Sequence, residues 1–287
     1  MATLSRASKG TALVTGASSG IGEAAALRLA QAGFTVYAAA RRVERMSGLA
    51  EAGIKVLKMD VTDDKSMVAG IEQIVTESGR IDVLVNNAGY GSYGALEDVP
   101  ISEARYQFDV NVFGLARLTQ LVLPHMRANR NGRIINISSI GGRIYEPFGG
   151  WYHATKFAVE GLSDSLRLEV APFGIKVVII EPAGIRTEWS GIAADNLRKA
   201  SGESAYAAHV DGVAAFLDLA DRPAFTSASS VVAKKIVKAA TARRPRTRYA
   251  TGKGAGSILF TRWLLPARVF DSVMRFTFAL APRLTKR

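Results

Sequence analysis

The stretch Thr11-Ala-Leu-Val-Thr-Gly-Ala-Ser-Ser-Gly-Ile-Gly22 decides how this chain folds. Its first five residues, Thr11–Thr15, form an apolar run with the length of a buried β-strand, and a helical pattern begins at Gly20. Gly16, Gly20 and Gly22 follow a G-x-x-x-G-x-G spacing, which lets the backbone turn tightly and approach a pyrophosphate at the helix N-terminus. The pattern predicts a nucleotide-binding loop, with an ordinary glycine-rich turn as the alternative.

Short β-rich runs alternate with longer helical patterns along most of the chain. This alternation predicts an α/β fold, with a doubly wound, Rossmann-like parallel sheet of about seven strands in a single domain and right-handed crossovers. The predicted strands are Thr11–Thr15, Phe34–Ala40, Ile54–Met59, Asp82–Asn86, Gly132–Ser138, Ile175–Glu181 and Thr247–Ala250. The predicted helices are Gly20–Gly33, Asp63–Ser78, Ser102–Ala128, Trp151–Pro172 and Ser227–Ala242. Between Gly184 and Arg222 we expect loop and short helix.

The composition excludes several classes of protein. The 287 residues are 48% hydrophobic, which is ample for one core, and contain no cysteine, which excludes disulfides, thiolate metal sites and thiol catalysis. Met1 to Gly10 lacks the apolar segment of a secretory signal, and no run of about 18 uncharged apolar residues predicts a membrane-spanning helix. We therefore expect a cytoplasmic protein.

The basic charge is concentrated at the C-terminus. Residues 243–287 contain eleven Arg or Lys and one acid, Asp271, so they carry +10 of the formal net charge of +12 and leave +2 for the first 242 residues. We therefore divide the chain into a catalytic domain, residues 1–255, and a basic amphipathic extension, residues 256–287, in which Pro266 should break any single helix. The arginines that punctuate its apolar residues are Arg262, Arg268, Arg275 and Arg283.

The sequence leaves open what the apolar and basic faces of this extension contact. An amphipathic helix with arginine on one face and aromatic residues on the other can lie peripherally in a membrane surface. Alternatively, the apolar face packs on the parent domain or on a second subunit. Basic charge also attracts nucleic acid, but no nucleic-acid-binding motif accompanies it, and we expect no such partner.

The end of the second predicted strand bears on cofactor choice. An acid there would hold the ribose 2′-hydroxyl of NAD, whereas arginine accommodates the 2′-phosphate of NADP. The strand ends Ala38-Ala-Ala40-Arg41-Arg42, with no acid before Glu44. Because guanidinium groups bind phosphate through paired hydrogen bonds, Arg41 and Arg42 favour NADP over NAD. The alternative is a pair of solvated arginines.

Two further loops follow predicted strands at the carboxyl edge of the sheet, where ligands of open α/β sheets bind. Asp60 and Val61 come after the third strand, and the Asp60 carboxylate can accept from an adenine amino group or serve as a helix N-terminal acid. Asn86-Asn87-Ala88-Gly89 ends the fourth strand, where Asn87, Ala88 and Gly89 would let the backbone approach a nucleotide. An ordinary turn is the alternative.

Tyr152-His-Ala-Thr-Lys156 places a phenol and an ammonium four residues apart, on one face of a predicted helix. A free tyrosine has a pKa of about 10, and we expect the ammonium one turn away to stabilise the phenolate and lower the pKa of Tyr152. Ser139, thirteen residues earlier, supplies a hydroxyl that can hold the oxygen that gains or loses the proton. These residues predict an alcohol/carbonyl redox site beside a nucleotide.

From about Lys9 to Arg248, the chain resembles the short-chain dehydrogenase/reductase family. The glycine loop, Asn86-Asn-Ala-Gly89, the Ser139…Tyr152-x-x-x-Lys156 spacing and Pro182-Ala-Gly-Ile-Arg-Thr187 occur in the family's order. The resemblance implies a seven-stranded parallel sheet and a homodimer or homotetramer. It also implies NAD(P)-dependent oxidoreduction, with a hydride moving between the nicotinamide and a substrate carbon.

The resemblance also implies roles for individual residues. Tyr152 matches the general acid/base, Lys156 the residue that lowers its pKa and holds the nicotinamide ribose, and Ser139 the substrate-orienting hydroxyl. Asn111 matches the asparagine of the family's catalytic tetrad, which helps to bind a proton-relaying water; otherwise it is a helix-kinking or capping residue. Thr187 matches a contact to the nicotinamide carboxamide, although Ala183 between Pro182 and Gly184 departs from the family pattern. The full set of predicted cofactor-binding residues is Gly16, Ser18, Ser19, Gly20, Ile21, Gly22, Arg41, Arg42, Asp60, Val61, Asn87, Ala88, Gly89, Tyr152, Lys156, Pro182, Gly184 and Thr187.

The substrate side has weaker sequence signals. Candidate pocket residues, which could equally be plain packing residues, are Trp189, Ile192, Leu197, Tyr206, Val210 and Phe216, with Arg143, Tyr145, Phe148 and Trp151 as an opposing wall. They suit an apolar ketone, aldehyde or secondary alcohol, and the chain is similar to family members that act on lipid-like substrates. His125, His153 and His209 have no metal-ligand partners at helix spacing, so we expect no metal, and we expect His153 and His209 in surface or lid positions.

The sequence thus predicts an NADP-dependent oxidoreductase that interconverts a carbonyl and an alcohol on an apolar small-molecule substrate. Two alternatives come from other classes of protein. One is a non-catalytic nucleotide-binding regulatory protein, against which the joint presence of Asn111, Ser139, Tyr152 and Lys156 argues. The other is a membrane-surface interaction protein whose function is carried by the extension.

Overall fold

A computed structural model describes residues 8–219 and 222–285. Its main sheet has seven parallel strands in the order β3-β2-β1-β4-β5-β6-β9, and the two-residue strands β7 and β8 pair with each other. The strands are β1 Thr11–Thr15, β2 Thr35–Ala40, β3 Lys55–Lys58, β4 Val83–Asn86, β5 Gly132–Ile137, β6 Ile175–Pro182, β7 Ile185–Arg186, β8 Ser227–Ala228 and β9 Arg248–Thr251. The predicted doubly wound parallel sheet is confirmed.

Helices connect the strands and cover both faces of the sheet. They are α1 Gly20–Gln31, α2 Ser47–Glu51, α3 Asp64–Ser78, α4 Ile101–Phe108, α5 Gly114–Ala128, α6 Gly150–Val170, α7 Trp189–Ser201, α8 Ala207–Leu219, α9 Ser229–Thr241, α10 Ala255–Leu264 and α11 Ala267–Thr285. Pro266 separates α10 from α11, as predicted. Among these residues no helix combines the length and hydrophobicity that crossing a membrane requires.

Two predictions of local structure need correction. The region predicted as loop and short helix contains two thirteen-residue helices, α7 and α8. Its apolar residues are interspersed with glycine and serine, which weakened the helical pattern in the sequence. The predicted helix Ser102–Ala128 is interrupted by a π-helical segment, Asp109–Phe113, between α4 and α5. Such segments are rare, and they occur frequently at functional sites.

The strands are buried because a hydrophobic core lies on each side of the sheet. Successive side chains of a strand point to opposite faces, so Ala12 and Val14 pack with α1 and α9, whereas Leu13 packs with α3 and α5. Burial on both faces explains why β1 is a continuous apolar run rather than an alternating one. The strand order changes direction between β1 and β4, which opens a crevice at their carboxyl ends.

A third cluster brings the C-terminal extension onto the body of the protein. Phe278 of α11 is buried and lies against Phe216 of α8, with ring centroids 4.8 Å apart. Tyr93, Tyr152 and Leu197 belong to the same cluster. The extension therefore packs on the domain along part of its length. The division at residue 255 stays a prediction, and residues 1–7 and 286–287 lie outside the described part of the chain.

Candidate active site

A cleft of about 1040 Å³ runs along the carboxyl edge of the sheet, from the glycine loop to α11. This volume lies at the upper end of the range of small-molecule and cofactor sites. The predicted cofactor residues line it, except Gly22, which lies behind the loop. Among the predicted catalytic residues, Ser139, Tyr152 and Lys156 line the cleft and Asn111 is buried beside it.

The glycine loop is held against the loop that follows β4. The Thr15 hydroxyl accepts hydrogen bonds from the backbone N–H groups of Asn87 and Ala88 at 3.1 and 3.0 Å. In return, the Asn87 side-chain amide donates to the carbonyl oxygens of Thr15 and Gly16 at 2.9 and 3.2 Å. These four hydrogen bonds hold the loops after β1 and β4 together at the nucleotide half of the cleft.

The close approach of these loops leaves no space for side chains on their backbone. A Cβ atom on Gly16, whose φ is +64°, would lie 2.9 Å from the Ala88 Cα atom. On Gly22 it would lie 2.3 Å from the Gly16 carbonyl oxygen and 2.6 Å from the Asn87 amide nitrogen. The glycines at the start of α1 thus leave bare backbone facing the cleft at a helix N-terminus, which fits a pyrophosphate.

The loops after β2 and β3 complete the nucleotide half of the cleft. Arg41 and Arg42 are exposed and line it, and the Arg41 guanidinium donates to the Tyr106 hydroxyl at 2.8 Å. One Asp60 oxygen accepts from the N–H and the hydroxyl of Thr62, at 2.9 and 2.8 Å, so this carboxylate orders the turn before α3 while lining the cleft. The two exposed guanidinium groups are donors that a phosphate bound in this half of the cleft could use.

The acid–base residues lie farther along the cleft, in the turn after β5 and on α6. Tyr152 and Lys156 are both buried, and the Lys156 ammonium donates to the Ile137 carbonyl oxygen at 3.0 Å. The Ser139 hydroxyl accepts from the Gly141 N–H at 3.0 Å, which caps the short 3₁₀ turn after β5. Helical spacing on α6 and the end of β5 thus bring a phenol, an ammonium and a hydroxyl to one place.

Burial dominates the electrostatics of this pair. It raises the pKa of the Tyr152 phenol above its ordinary value, a rise that the hydrogen bond to Ser139 opposes and the negative charge of Glu146 reinforces. It also lowers the pKa of the Lys156 ammonium to about 8, and the charge of Glu160 opposes that shift. The expected lowering of the Tyr152 pKa is not found in this chain by itself. The ammonium lies 5.8 Å from the ring centroid, and desolvation of the phenolate is the larger effect.

Asn111 connects the π-helical segment to the loop after β4. Its side-chain oxygen accepts from the Tyr90 N–H at 3.0 Å, and its amide nitrogen donates to the Tyr90 carbonyl oxygen at 2.9 Å and to Thr155 at 3.1 Å. A Cβ atom on Gly89 would lie 3.0 Å from the Asn111 oxygen and 3.8 Å from the Lys156 nitrogen. Asn111 therefore fixes the backbone that lies beside Lys156.

Thr187 closes the cleft over the glycine loop. A Cβ atom on Gly20 would lie 3.0 Å from the Thr187 methyl carbon. The Thr187 hydroxyl accepts from the Trp189 N–H at 3.3 Å, where α7 begins. The inserted Ala183 is accommodated because its N–H donates to the Thr251 carbonyl oxygen of β9 at 2.8 Å. Pro182, Gly184 and Thr187 consequently all line the cleft.

The substrate half is lined by some of the predicted residues and by several that the sequence did not indicate. Trp189, Ile192 and Phe216 line it, whereas Leu197 and Val210 are buried in the cluster beneath. Lining residues that the sequence did not indicate include Tyr93, Ile144, Glu146, Leu217 and Phe225. The inner face of α10 and α11 adds Ser257, Ile258, Thr261, Phe270, Val273, Met274, Thr277 and Phe278. The four-residue spacing of Phe270, Met274 and Phe278 was the one available signal.

Most of the predicted opposing wall has other partners. Arg143 pairs with Glu181 at 3.4 Å, the Tyr145 hydroxyl donates to Asp271 at 2.8 Å, and the rings of Phe148 and Tyr206 contact each other. The Trp151 indole packs against Phe108. These side chains therefore support the loops and helices around the cleft, and none of them lines it.

His153 was predicted at the surface, and this is wrong. The ring is buried; its Nδ1 lies 2.8 Å from the Gly141 carbonyl oxygen, and its Nε2 accepts from the Glu146 N–H at 3.1 Å. A neutral imidazole protonated at Nδ1 satisfies both contacts. His209 is exposed, as expected. Over residues 8–219 and 222–285, no three His, Cys, Asp or Glu side chains are grouped to hold a metal ion.

The sequence matches known proteins over most of its length. Residues 10–197 match the family model of the short chain dehydrogenases. A probable short-chain type dehydrogenase/reductase, VdlC, from Helicobacter pylori is 36% identical over 264 residues, which cover 92% of this chain and 96% of that protein. A 3-ketodihydrosphingosine reductase from Bacteroides thetaiotaomicron is 46% identical over 175 residues, which cover 61% of this chain and 64% of that protein.

Solved structures extend the match to three dimensions. A short-chain dehydrogenase from Streptomyces avermitilis has a TM-score of 0.79 and 35% identity, over 96% of this chain and 97% of that one. A metagenomic short-chain oxidoreductase in complex with NADP has a TM-score of 0.66 and 26% identity, over 84% and 96%. A short-chain dehydrogenase/reductase from Burkholderia phymatum in complex with NAD has a TM-score of 0.76 and 25% identity, over 90% and 92%.

Replacing Gly22 by alanine tests the close approach of the two loops. The added methyl group cannot be placed without moving the Gly16 carbonyl, so Gly22→Ala should lower the melting temperature and weaken dinucleotide binding by more than about tenfold. Gly161→Ala is the matched control, because no atom would lie within 4 Å of that Cβ, and alanine stabilises a helix interior by about 0.5–1 kcal/mol. Thermal unfolding and fluorescence titration with NADPH measure both effects. Equal behaviour of the two variants would contradict the packing described here.

Proposed function

This chain belongs to the short-chain dehydrogenase/reductase family of NAD(P)-dependent oxidoreductases, and we propose that it uses NADP to interconvert a carbonyl and an alcohol on an apolar small molecule, with Tyr152 as general acid/base. The observation that carries the proposal is the placement of Ser139, Tyr152 and Lys156 in the same cleft as the glycine loop. A hydride donor bound along that loop and a carbonyl beside Tyr152 would then share one cleft.

Two residues of the chain would bind the substrate oxygen and supply its proton. The bound dinucleotide supplies the hydride that reduces the carbonyl carbon. The Ser139 hydroxyl would orient the carbonyl oxygen, and the Tyr152 hydroxyl would donate to it the proton that completes the alcohol. A tyrosine with its ordinary pKa of about 10 already carries its proton at neutral pH, as a general acid in the reducing direction must, and burial raises the pKa of Tyr152 further.

Lys156 would serve both the dinucleotide and the proton transfer. Its buried ammonium has its hydrogen-bond donors in the cleft, where they can hold ribose hydroxyls and supply positive charge near Tyr152. Asn111 would position this lysine indirectly, because it fixes the backbone of Tyr90 beside Gly89. The role of Asn111 in binding a proton-relaying water stays a prediction.

The preference for NADP is supported by the charges at the end of β2. Arg41 and Arg42 line the cleft at the point where β2 ends in alanine, with no acid in the position that would hold a ribose 2′-hydroxyl. Structural relatives in complex with NADP and with NAD are both known, so the preference of this chain has to come from its own residues. Two guanidinium groups favour the dinucleotide with the additional phosphate.

The substrate half of the cleft supports an apolar carbonyl compound. Its walls include Trp189, Phe216 and Phe278, with Tyr93 behind Tyr152. A relative named as a 3-ketodihydrosphingosine reductase is consistent with a keto group as the reacting group.

A homodimer or homotetramer is also proposed. The π-helical segment and α6 expose Phe113, Phe157 and Leu168, a set of large apolar side chains that a second copy would cover. The cytoplasmic location stays a prediction, consistent with a chain that has no cysteine.

Tyr152→Phe tests the acid/base assignment. The variant keeps the packing of the ring and removes the hydroxyl that passes the proton, so kcat should fall by about 10²–10⁴-fold while the affinity for NADPH stays near that of the wild type. Tyr145→Phe is the control, since its hydroxyl contacts Asp271 outside the cleft, and it should leave kcat nearly unchanged. Steady-state kinetics at the nicotinamide absorbance, with a panel of ketones and aldehydes, measures the effect. Near-normal turnover of the Tyr152 variant would remove its assigned role.

The pKa of Lys156 predicts how cofactor affinity depends on pH. A pKa of about 8 means that the ammonium loses its proton as the pH rises through that value, and its positive charge and one of its three hydrogen-bond donors are lost with it. The Kd for NADPH should therefore increase above pH about 8, and Lys156→Met should bind more weakly with no inflection there. Fluorescence titrations from pH 6.5 to 10 measure this. A flat profile in the wild type would refute the role in binding.

Arg41→Gln/Arg42→Gln tests cofactor choice. A lost charge-assisted hydrogen bond is worth about 1.5–3 kcal/mol, so the affinity for NADP should fall roughly 10–150-fold while the affinity for NAD changes little. The control is Arg45→Gln, because this arginine pairs with Glu188 and does not line the cleft. Equal loss of both cofactors, or a wild type that prefers NAD, would overturn the assignment.

A further inference from the structure

We propose that the outer face of α10 and α11 docks on an anionic membrane surface, with the open side of the substrate cleft toward the bilayer. We define this docking face by six residues of the two helices: Phe260, Trp263, Leu264, Arg268, Arg275 and Phe276. The docking does not depend on the redox chemistry. It rests on the proposed function in one respect only: an apolar substrate would enter the cleft from the lipid side.

In the part of the extension whose side chains the structure describes, residues 256–278, one apolar face is covered by the domain and another is exposed. Phe270, Met274 and Phe278 of α11 face the body of the protein and line the cleft. On the other side, the exposed fractions of Phe260, Trp263 and Phe276 are 59%, 75% and 67%. Packing on the domain therefore accounts for the inner face and leaves large aromatic side chains in contact with solvent, which is unusual for a monomer surface.

The docking face is continuous with the mouth of the cleft. Ile192, Phe225 and Val273 line the cleft and are at the same time exposed, so they form part of its rim. On α10, Phe260 and Leu264 lie within one turn of Ser257 and Thr261, which also line the cleft. A surface that covers the docking face therefore also covers the cleft opening.

The charge of this face selects an anionic partner. Arg268 and Arg275 are exposed on α11, beside Phe276 and Val269. The one acid in residues 243–287, Asp271, accepts a hydrogen bond from the Tyr145 hydroxyl at 2.8 Å and so faces the body of the protein. Arginines next to exposed aromatic side chains are the pattern of helices that lie in a membrane interface.

A second copy of the chain fits this face less well than a lipid surface. In a two-fold contact the same patch meets itself, so Arg268 and Arg275 of both copies would come together. Asp271 is the one acid in residues 243–287 and is directed toward Tyr145, so a single carboxylate per copy would face two arginines. Anionic headgroups supply the opposite charge in any number, each arginine near such a surface increasing binding by about fivefold.

Vesicle flotation of the full-length protein tests the proposal. Vesicles of phosphatidylcholine alone are compared with vesicles that also contain phosphatidylglycerol, at low and at high salt. The wild type should float with the anionic vesicles and be released by salt, because screening weakens the charge contribution. Phe260→Ser/Trp263→Ser should lower binding by about tenfold or more, as apolar area is lost from the interface. Leu96→Ser is the control, a similarly exposed apolar residue elsewhere, and should bind as the wild type does.

A second pair of variants separates the docking face from net charge. Arg268→Gln/Arg275→Gln should lower binding to anionic vesicles by about 25-fold. Arg243→Gln/Arg244→Gln removes the same charge from exposed residues that precede β9. These residues lie at the amino edge of the parallel sheet, whereas the cleft lies at the carboxyl edge, so this pair should change binding much less. Equal effects of the two pairs would show that net charge alone attracts the vesicles, and the proposal would be wrong.

Two controls keep the outcomes distinct. NADPH-dependent reduction of a water-soluble carbonyl should be unchanged in all these variants, since none of the substituted residues lines the cleft. An active wild type that binds no anionic vesicle refutes the docking alone, and an inactive wild type that binds them refutes the proposed function alone. If sedimentation velocity shows that Phe260→Ser/Trp263→Ser dissociates an oligomer, the face is a subunit contact and the proposal is overturned.

Discussion

The hydrogen bonds between the loops after β1 and β4 are the constraint on which the cleft depends. Thr15 and Asn87 each use backbone and side-chain groups to hold the two loops together. The resulting distance is too short for any side chain at Gly16 or Gly22. Because these loops lie where the strand order reverses, the bare backbone is presented at the crevice where open α/β sheets bind nucleotides.

The second requirement of the site is a buried ammonium, which costs stability. Desolvation lowers the pKa of Lys156, and the Ile137 carbonyl oxygen and the more distant charge of Glu160 offset part of that cost. The unfolded chain holds this proton up to a higher pH, so folding becomes more favourable as the pH rises from about 8 toward the ordinary lysine value. Such a cost is common where a perturbed pKa serves catalysis.

The C-terminal extension links the active site to the surface. The inner side of α11 completes the substrate half of the cleft, where Phe278 packs against Phe216. The Arg262 guanidinium lies over the rings of Tyr145 and Phe270, at 5.6 and 5.3 Å from their centroids, and so helps to hold α10 against α11. The outer side is free to contact something else, which is why one segment can be both a pocket wall and a docking face.

The sequence by itself determined the sheet, the glycine loop and the Ser139, Tyr152 and Lys156 set, because each depends on a local pattern: short apolar runs in buried strands, four residues along α6, and glycine where backbones meet. It did not determine the helical segment 189–219, the burial of His153 or the contribution of α11 to the cleft. These depend on contacts between residues far apart in the chain, such as Phe278 with Phe216 and His153 with Gly141. Tertiary structure also decided the direction in which the pKa of Tyr152 shifts, because burial, which local spacing does not reveal, outweighs the ammonium one turn away.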